Sequence, residues 1–171
     1  MFFNVTHEFD IPLDTLELAL LSPELYEQVQ GRMRGLELTG QSRHRLEGKT
    51  LLRTWGYRFT ARFPFGKGNL NRELGAWDDN LSYDRGRHAG EWNLAFRSEA
   101  SLVPHPARYI EAQGEYRLFP LGAGRSRRII SGRMELKVPI AHGLGERLIV
   151  TELRKAYEAE AQTLQDVATL A

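Results

Sequence analysis

The residues best suited to chemistry in this sequence are His44, Arg53 and Asp79, because each falls where an alternating pattern otherwise places apolar residues. Arg53, for example, lies between Leu51 and Trp55. Successive side chains of a strand point to opposite faces of the sheet, so we expect all three polar side chains on the buried face. A guanidinium flanked there by a carboxylate and an imidazole is suited to holding an anionic or carbonyl head group.

The turns between the predicted strands set which residues face one another. A turn centred just after Gly48 pairs His44 with Arg53, and a turn centred near Gly66 pairs Arg53 with Asp79. These registers predict one row of the three residues across adjacent strands. Two further interpretations stay open, because such a row also suits a structural ion pair or a solvated position at the open end of the sheet.

The other polar residues form no recognisable catalytic or metal-binding motif. His7, Ser98 and Arg128 also share the apolar side of their strands, but the five histidines are scattered and show no metal-ligand spacing. The chain has no cysteine, which excludes disulfides, Cys-ligated zinc, iron–sulfur clusters and thiol catalysis. Its short glycine turns do not follow the strand–GxGxxG–helix pattern that binds dinucleotides. Together with the histidine spacing and the absence of cysteine, this predicts neither a metal nor another cofactor.

Length and charge narrow the classes of function. The chain has 171 residues, with 23 Lys and Arg against 22 Asp and Glu, so its net charge is +1. This balance argues against a protein dedicated to binding nucleic acids or membrane surfaces. The aromatic residues also alternate on strand positions that exclude the basic residues, so they form no stacking platform for nucleic acid beside the positive charge. No stretch approaches the ~18 apolar residues of a membrane span. The first residues lack the basic-then-apolar pattern of a signal peptide, so we predict a cytoplasmic protein, with no prediction of its oligomeric state.

The predicted elements are a strand, two short helices, six strands and a long helix. Alternation predicts the first strand from Phe3 to Phe9, and Ser22 is expected to cap the second helix. The clearest alternation runs through residues 51–63, which predicts a strand with one buried face. Apolar residues at steps of three and four predict a helix of about 25 residues after Gly145. Hairpin-length connections make the sheet antiparallel, and a single helix covering so wide a sheet leaves room for a cavity.

Two stretches of the sequence resemble a known superfamily. Residues 9–26, which begin Phe-Asp-Ile-Pro and continue to Leu-Leu-Ser-Pro-Glu-Leu-Tyr, are similar to the opening of START-like domains, also called SRPBCC or helix-grip domains. Residues 132–146, from Gly-Arg-Met-Glu-Leu-Lys-Val-Pro-Ile-Ala-His-Gly to a glutamate, resemble a bacterial subfamily of unknown function.

The resemblance implies one α+β domain over residues 1–171 that encloses a hydrophobic cavity. Its expected fold is a curved seven-stranded antiparallel sheet with two short helices and a long C-terminal helix. Members of the superfamily include lipid carriers, polyketide cyclases and ring-hydroxylase subunits, so the fold does not fix the activity. The resemblance offers no catalytic residue to carry over, and the chain lacks the Cys and His clusters of Rieske or metal-binding relatives.

Three functions fit these patterns. The leading hypothesis is binding of a small hydrophobic or amphipathic ligand, such as a lipid or a polyketide-like molecule, with the long helix as a lid. The second is a cyclase- or dehydratase-type enzyme in which His44 or Asp79 is the base and Arg53 stabilises an enolate. The third is a regulatory module that docks through a basic sheet face. The residues expected to contact a ligand are Arg53, Trp55, Tyr57, Phe59, Trp77, Asp79, Trp92, Phe96, Tyr116, Met134 and His44.

Overall fold

The computed structural model describes residues 1–59, 76–97, 110–137 and 144–170. The predicted order of elements is confirmed. Along the chain these elements are β1 (Phe2–Phe9), α1 (Leu13–Leu20), α2 (Leu25–Gln30), β2 (Leu36–Glu47), β3 (Thr50–Phe59), β4 (Ala76–Asp84), β5 (Ala89–Arg97), β6 (Ile110–Gly122), β7 (Arg125–Leu136) and α3 (Leu144–Leu170).

The strands form one 7-stranded antiparallel sheet in the order β1-β7-β6-β5-β4-β3-β2. Its side chains alternate between buried and exposed, as β1 shows over its whole length. The sheet curls around α3, so the buried sides of the strands and the apolar side of α3 build one core. The predicted α+β architecture is therefore confirmed.

A row of glycine and aromatic residues crosses four strands of the sheet where there is no room for further side chains. Phe3, Gly132, Gly114 and Trp92 face one another across four adjacent strands. A Cβ added at Gly114 would lie 1.9 Å from the carbonyl oxygen of Ser131, and one at Gly132 would lie 2.2 Å from the Trp92 ring. Only glycine therefore fits at these two positions. The indole of Trp92 fills the space above Gly132, and its Nε1 donates to the carbonyl oxygen of Ser131 at 3.2 Å.

The edge strand β2 carries an irregularity that α2 holds in place. Between Leu38 and Ser42 the pairing advances four residues on β2 for two on β3, and Gly40 there adopts a φ of +79°. The Gly40 N–H donates to the Tyr26 hydroxyl at 3.1 Å, and this hydroxyl donates to the carbonyl of Gly56 at 3.3 Å. One side chain of α2 thus fixes both strands.

The second helix begins later than the sequence predicts, because Ser22 does not cap it. α2 starts at Leu25, after Glu24, and has no side-chain cap. The Ser22 N–H donates to the carbonyl of Ala19 at 3.1 Å, and the Ser22 carbonyl accepts from the Leu25 N–H at 3.2 Å. The main chain of Ser22 therefore belongs to a tight turn between the two helices.

The long helix α3 has 27 residues and presents the predicted apolar stripe to the sheet. Two polar residues, Glu160 and Thr163, are buried together with this stripe. Thr163 donates to the carbonyl of Ala159 one turn earlier at 2.8 Å, whereas Glu160 reaches the sheet. The buried apolar members of the stripe are Ile149, Leu153, Ala156, Tyr157, Ala161, Leu164 and Ala168.

Candidate functional site

A buried ionic network joins α3 to the inner face of the sheet. The Glu160 carboxylate on α3 accepts from Nη1 of Arg53 on β3 at 2.7 Å, and its other oxygen lies 3.0 Å from Nη1 of Arg128 on β7. All three side chains are at most 2% exposed. Burial alone would raise the pKa of Glu160, but the two guanidiniums outweigh it and hold this pKa below its ordinary value. Glu160 is therefore ionised between two cations.

The Arg128 guanidinium also contacts β1, β6 and the main chain of α3. Its Nη2 donates to the carbonyl of Tyr157 at 2.7 Å and to Nδ1 of His7 at 3.2 Å, and its Nη1 lies 3.5 Å from the hydroxyl of Tyr116. Because arginine can only donate, Nδ1 of His7 is the acceptor, and Nε2 carries the proton that faces Glu158 at 3.2 Å. Burial, followed by the charge of Arg128, lowers the pKa of His7 to about 4, so this ring is neutral.

Sequence reasoning placed His7 and Arg128 on the inner face but missed Glu160. A signal was present, because Glu160 follows Ala156 by four residues and precedes Leu164 by four. This spacing places Glu160 within the apolar stripe of the helix. A carboxylate in a buried stripe requires a cationic partner, and the inward arginines of the sheet were the available candidates.

The predicted row of His44, Arg53 and Asp79 is only partly correct. His44 faces Arg53 as predicted. Arg53 then faces Leu81, however, and Asp79 faces Trp55, so the predicted pairing of Arg53 with Asp79 is wrong. The long connection between β3 and β4 fixes their register less tightly than a two-residue hairpin would. Because the displacement is two residues, the alternation survives and Asp79 still lies on the buried face.

Asp79 is a buried carboxyl group without a hydrogen-bond donor among the described residues. It is 3% exposed. Arg53, Arg128 and Glu160 act on it only through their charges. Burial raises the pKa of Asp79 to about 7, the charge of Glu160 acts in the same direction, and the two guanidiniums oppose them. Asp79 therefore exchanges its proton near neutral pH.

Two tyrosine hydroxyls share the surroundings of Asp79. Tyr57 on β3 and Tyr157 on α3 are buried, and neither hydroxyl bonds to a residue within the described ranges. Burial, followed by the charge of Asp79, raises the pKa of both tyrosines well above the ordinary value. Each neutral hydroxyl can donate one hydrogen bond and accept another. We call Asp79, Tyr57 and Tyr157 the Asp79 cluster.

Aromatic rings border the Asp79 cluster on the sheet. Tyr57, Trp77 and Phe96 face one another on β3, β4 and β5. The ring centroids of Tyr57 and Trp77 are 5.8 Å apart with planes at 26°, and those of Trp77 and Phe96 are 5.9 Å apart. Trp55 lies directly opposite Asp79. A polar cluster without partners in the described part of the chain therefore adjoins a stacked aromatic surface, an arrangement typical of small-molecule sites.

Three predicted ligand residues are engaged in the protein's own packing. Trp92 covers Gly132, as described above. Tyr116 lies within reach of Arg128 and packs edge-on against another tyrosine ring at 5.7 Å. Met134 is fully buried on β7. These contacts assign the three residues to the core rather than to the Asp79 cluster.

Three further residues named from the sequence lie outside this cluster or outside the described part of the protein. His44 is half-buried on the edge strand, where burial lowers the pKa of its ring and the ring bonds to the main chain of Leu21. The side chain of Phe59 and the whole of Ser98 are outside the described residues.

Bases on the outer face of the sheet have acidic partners on the same face. Arg125 and Arg127 reach the carboxylate of Glu8 at 2.9 and 2.6 Å. Four more bases are paired in the same way, namely Arg45 with Glu47, Arg117 with Glu115, Arg133 with Glu135 and Lys137 with Glu111. The docking face expected from the sequence is therefore largely neutralised at these positions.

Neither a metal centre nor a membrane segment emerges from the described ranges. No group of three or more His, Asp or Glu side chains there could hold a metal ion. In the same part of the chain, no helix is both long enough and apolar enough to cross a membrane.

Comparison with known proteins establishes the fold. No family model matches the sequence, and no curated protein does, so the resemblance to a bacterial subfamily stays a prediction. Norcoclaurine synthase from Thalictrum flavum aligns with a TM-score of 0.62 and 12% identity over 100% of this chain and 87% of that one. Zhui aromatase/cyclase from a Streptomyces species gives 0.60 and 12% over 99% and 93%. A protein from Thermus thermophilus gives 0.60 and 15% over 99% and 98%.

Proposed function

Because the chain has the helix-grip fold of the START-like superfamily, we propose that it binds a small hydrophobic or amphipathic molecule between the sheet and α3. The observation that carries this proposal is the Asp79 cluster, which is buried, has no hydrogen-bond partner among the described residues and adjoins stacked aromatic rings. The cluster orients the polar end of the ligand, and the aromatic rings contact its apolar part.

The energetics of the Asp79 cluster favour a ligand. A buried polar group without a partner costs roughly 1–3 kcal/mol, and the Tyr157 hydroxyl has no partner among the described residues. A ligand that supplies a partner removes part of that cost. It also gains roughly 25 cal/mol for each Å² of apolar surface that it buries, before the losses of association.

The buried network makes α3 a fixed wall of this proposed site rather than the lid expected from the sequence. Glu160 ties the helix to β3 and β7 at once. A charge left buried here without its partner would be strongly unfavourable, so the pairs form and break together with the packing of the helix. An opening motion of α3 would separate two such pairs, so we infer that the ligand enters elsewhere.

Native mass spectrometry of freshly purified protein, followed by organic extraction, tests the proposal. We expect a reproducible extra mass that disappears on denaturation, and the extract identifies its chemical class. A clean protein mass, together with no uptake from a panel of lipids and aromatic compounds, would overturn the proposal.

A pair of tyrosine variants tests the location of the site. Tyr57→Phe removes a hydroxyl of the Asp79 cluster. It should weaken ligand affinity about fivefold, which corresponds to the loss of one neutral hydrogen bond worth about 1 kcal/mol. Tyr83→Phe is the matched control, because its hydroxyl already donates to the Glu17 carboxylate at 2.6 Å. Its affinity should equal that of the wild type, whereas equal losses in both variants would place the ligand elsewhere.

A second candidate function is an enzyme of the cyclase or dehydratase type that uses the same site. The observation that favours it is a buried carboxyl group, Asp79, whose pKa of about 7 suits a general base at neutral pH. Tyr57 and Tyr157 would donate to the carbonyl oxygen of the substrate. A β-keto compound in deuterated water should then exchange its carbon-bound protons, and Asp79→Asn should abolish the exchange. Binding of the compound without exchange would reject this function and leave ligand binding intact.

A further inference from the structure

We propose that the ligand carries a carboxylate at its polar end, and that Asp79 takes up one proton as this carboxylate binds. The inference rests on the proposed ligand-binding function and names the chemical class of the ligand. Two features of the buried site carry it, namely the balance of its charges and the balance of its hydrogen-bond donors.

Within the described ranges, the buried charges around Asp79 leave one positive charge in excess. The guanidiniums of Arg53 and Arg128 come from β3 and β7, and the single carboxylate between them is that of Glu160 from α3. Asp79 on β4 therefore decides whether the site is neutral or positive. Other titratable groups near these charges, counted over the described residues, are neutral near pH 7. They are His7 on β1, Tyr57 on β3, Tyr116 on β6 and Tyr157 on α3, with His44 on the edge strand β2 beyond Arg53.

The unpartnered atoms of the site are mainly donors. The Nε atoms of Arg53 and Arg128 and the hydroxyl of Tyr157 are buried without a hydrogen-bond partner in the described part of the chain. A guanidinium N–H can only donate, and a hydroxyl can donate as well as accept. Buried donors without acceptors are rare in folded proteins. A ligand that supplies acceptors therefore satisfies more of this site than one that supplies donors.

A carboxylate meets both conditions. It brings one negative charge against the excess positive charge, and each of its two oxygens accepts hydrogen bonds. An ammonium group would increase the positive charge and add only donors, and an alcohol would leave the charge uncompensated. Once the ligand carboxylate is bound, ionised Asp79 would make the dry site anionic as a whole. A proton from solvent therefore neutralises Asp79.

Calorimetric titration with 2-naphthoate and its neutral analogue 2-naphthalenemethanol tests this inference. The two probes share one ring system that suits the stacked aromatic surface, so their difference reports the charged group. At a pH below 7 we expect naphthoate to bind more than about tenfold more tightly than the alcohol. At higher pH, where Asp79 must first be protonated, naphthoate affinity should fall about tenfold per pH unit. Well above pH 7, titrations in two buffers of different ionisation enthalpy should show uptake of close to one proton, and well below pH 7 they should show almost none.

Two variants separate the role of Asp79 from that of the site as a whole. Asp79→Asn imitates the protonated carboxyl group, so its affinity for naphthoate should become independent of pH while the preference over the alcohol remains. Glu17→Gln is the matched control, because Glu17 is a buried carboxylate that bonds to Tyr83 and His88 instead. This variant should keep the wild-type dependence on pH.

The outcomes distinguish this inference from the function on which it rests. Equal affinity for the two probes, or a naphthoate affinity that does not change with pH in the wild type, would overturn the inference and leave ligand binding intact. Binding of neither probe, together with a clean native mass and no uptake from the wider panel, would overturn the proposed function and the inference with it.

Discussion

Asp79→Asn should change how the stability of the protein depends on pH. Folding raises the pKa of Asp79 from its ordinary 3.8 to about 7, mainly by burial. Each pKa unit corresponds to about 1.4 kcal/mol, so the shift represents about 4 kcal/mol. Because the folded-state pKa is the higher one, Asp79 contributes this stability below its ordinary pKa and loses it as the pH rises towards 7. Asparagine cannot lose a proton, so the variant escapes this loss.

Urea denaturation at about pH 4, 6 and 8, followed by tryptophan fluorescence, measures this effect. All three tryptophans are buried and report unfolding. Between the lowest and the highest pH, the free energy of unfolding of Asp79→Asn should rise by about 4 kcal/mol relative to the wild type. Comparing the two proteins cancels the contributions of their other titratable groups.

The control for this experiment is an uncharged change elsewhere in the core. Ser126→Ala removes the buried hydrogen bond from the Ser126 hydroxyl to the carbonyl of Ile11, which is 2.8 Å long. It should lower stability by about 1 kcal/mol at every pH. If the free energy of unfolding of Asp79→Asn also changes with pH in parallel with that of the wild type, Asp79 does not hold its proton in the folded state and the reasoning fails.

Glu160→Gln should lower the free energy of unfolding by roughly 3–5 kcal/mol, since it leaves two buried guanidiniums without their carboxylate; a loss below about 1 kcal/mol in urea denaturation would contradict the network. His7→Asn should make the protein less sensitive to acid. Folding lowers the pKa of His7 from 6.5 to about 4, so its contribution is complete above pH 6.5 and is lost as the pH falls towards 4. Stability curves of wild type and variant should diverge by about 3 kcal/mol over that window. Gly132→Ala should cost roughly 1–3 kcal/mol because its methyl group meets an indole ring, whereas Gly31→Ala, with nothing within 4 Å of its added Cβ, should leave the melting temperature almost unchanged.

Alternation was sufficient to place the residues of the site on the correct face. Tyr57, Trp77 and Asp79 all lie inward as predicted, because a side chain changes face only when its strand slips by an odd number of residues. The β2–β3 register was also predictable, since a short turn joins the two strands. The β3–β4 register was not, because a long connection permits several pairings that differ by two residues.

The partners of the buried charges could not be derived from local patterns. Arg53 bonds to Glu160, which lies 107 residues further along the chain. Spacing within one element predicts which side of that element is buried, but it does not predict which residue of a distant helix will lie opposite. For His44, the predicted pairing with Arg53 is correct. Because β2 is the edge strand, however, His44 lies beside the main chain of Leu21 and not in the Asp79 cluster.

The position of Glu160 on the last helix has a consequence for the order in which the chain assembles. Until α3 docks, the guanidiniums of Arg53 and Arg128 have no carboxylate and are better hydrated than buried. A sheet formed in advance would therefore keep its centre wet around these two side chains. We expect docking of α3 and the expulsion of water from the core to occur in one cooperative step. A chain that ended before this helix would lack the anion that allows the sheet interior to become dry.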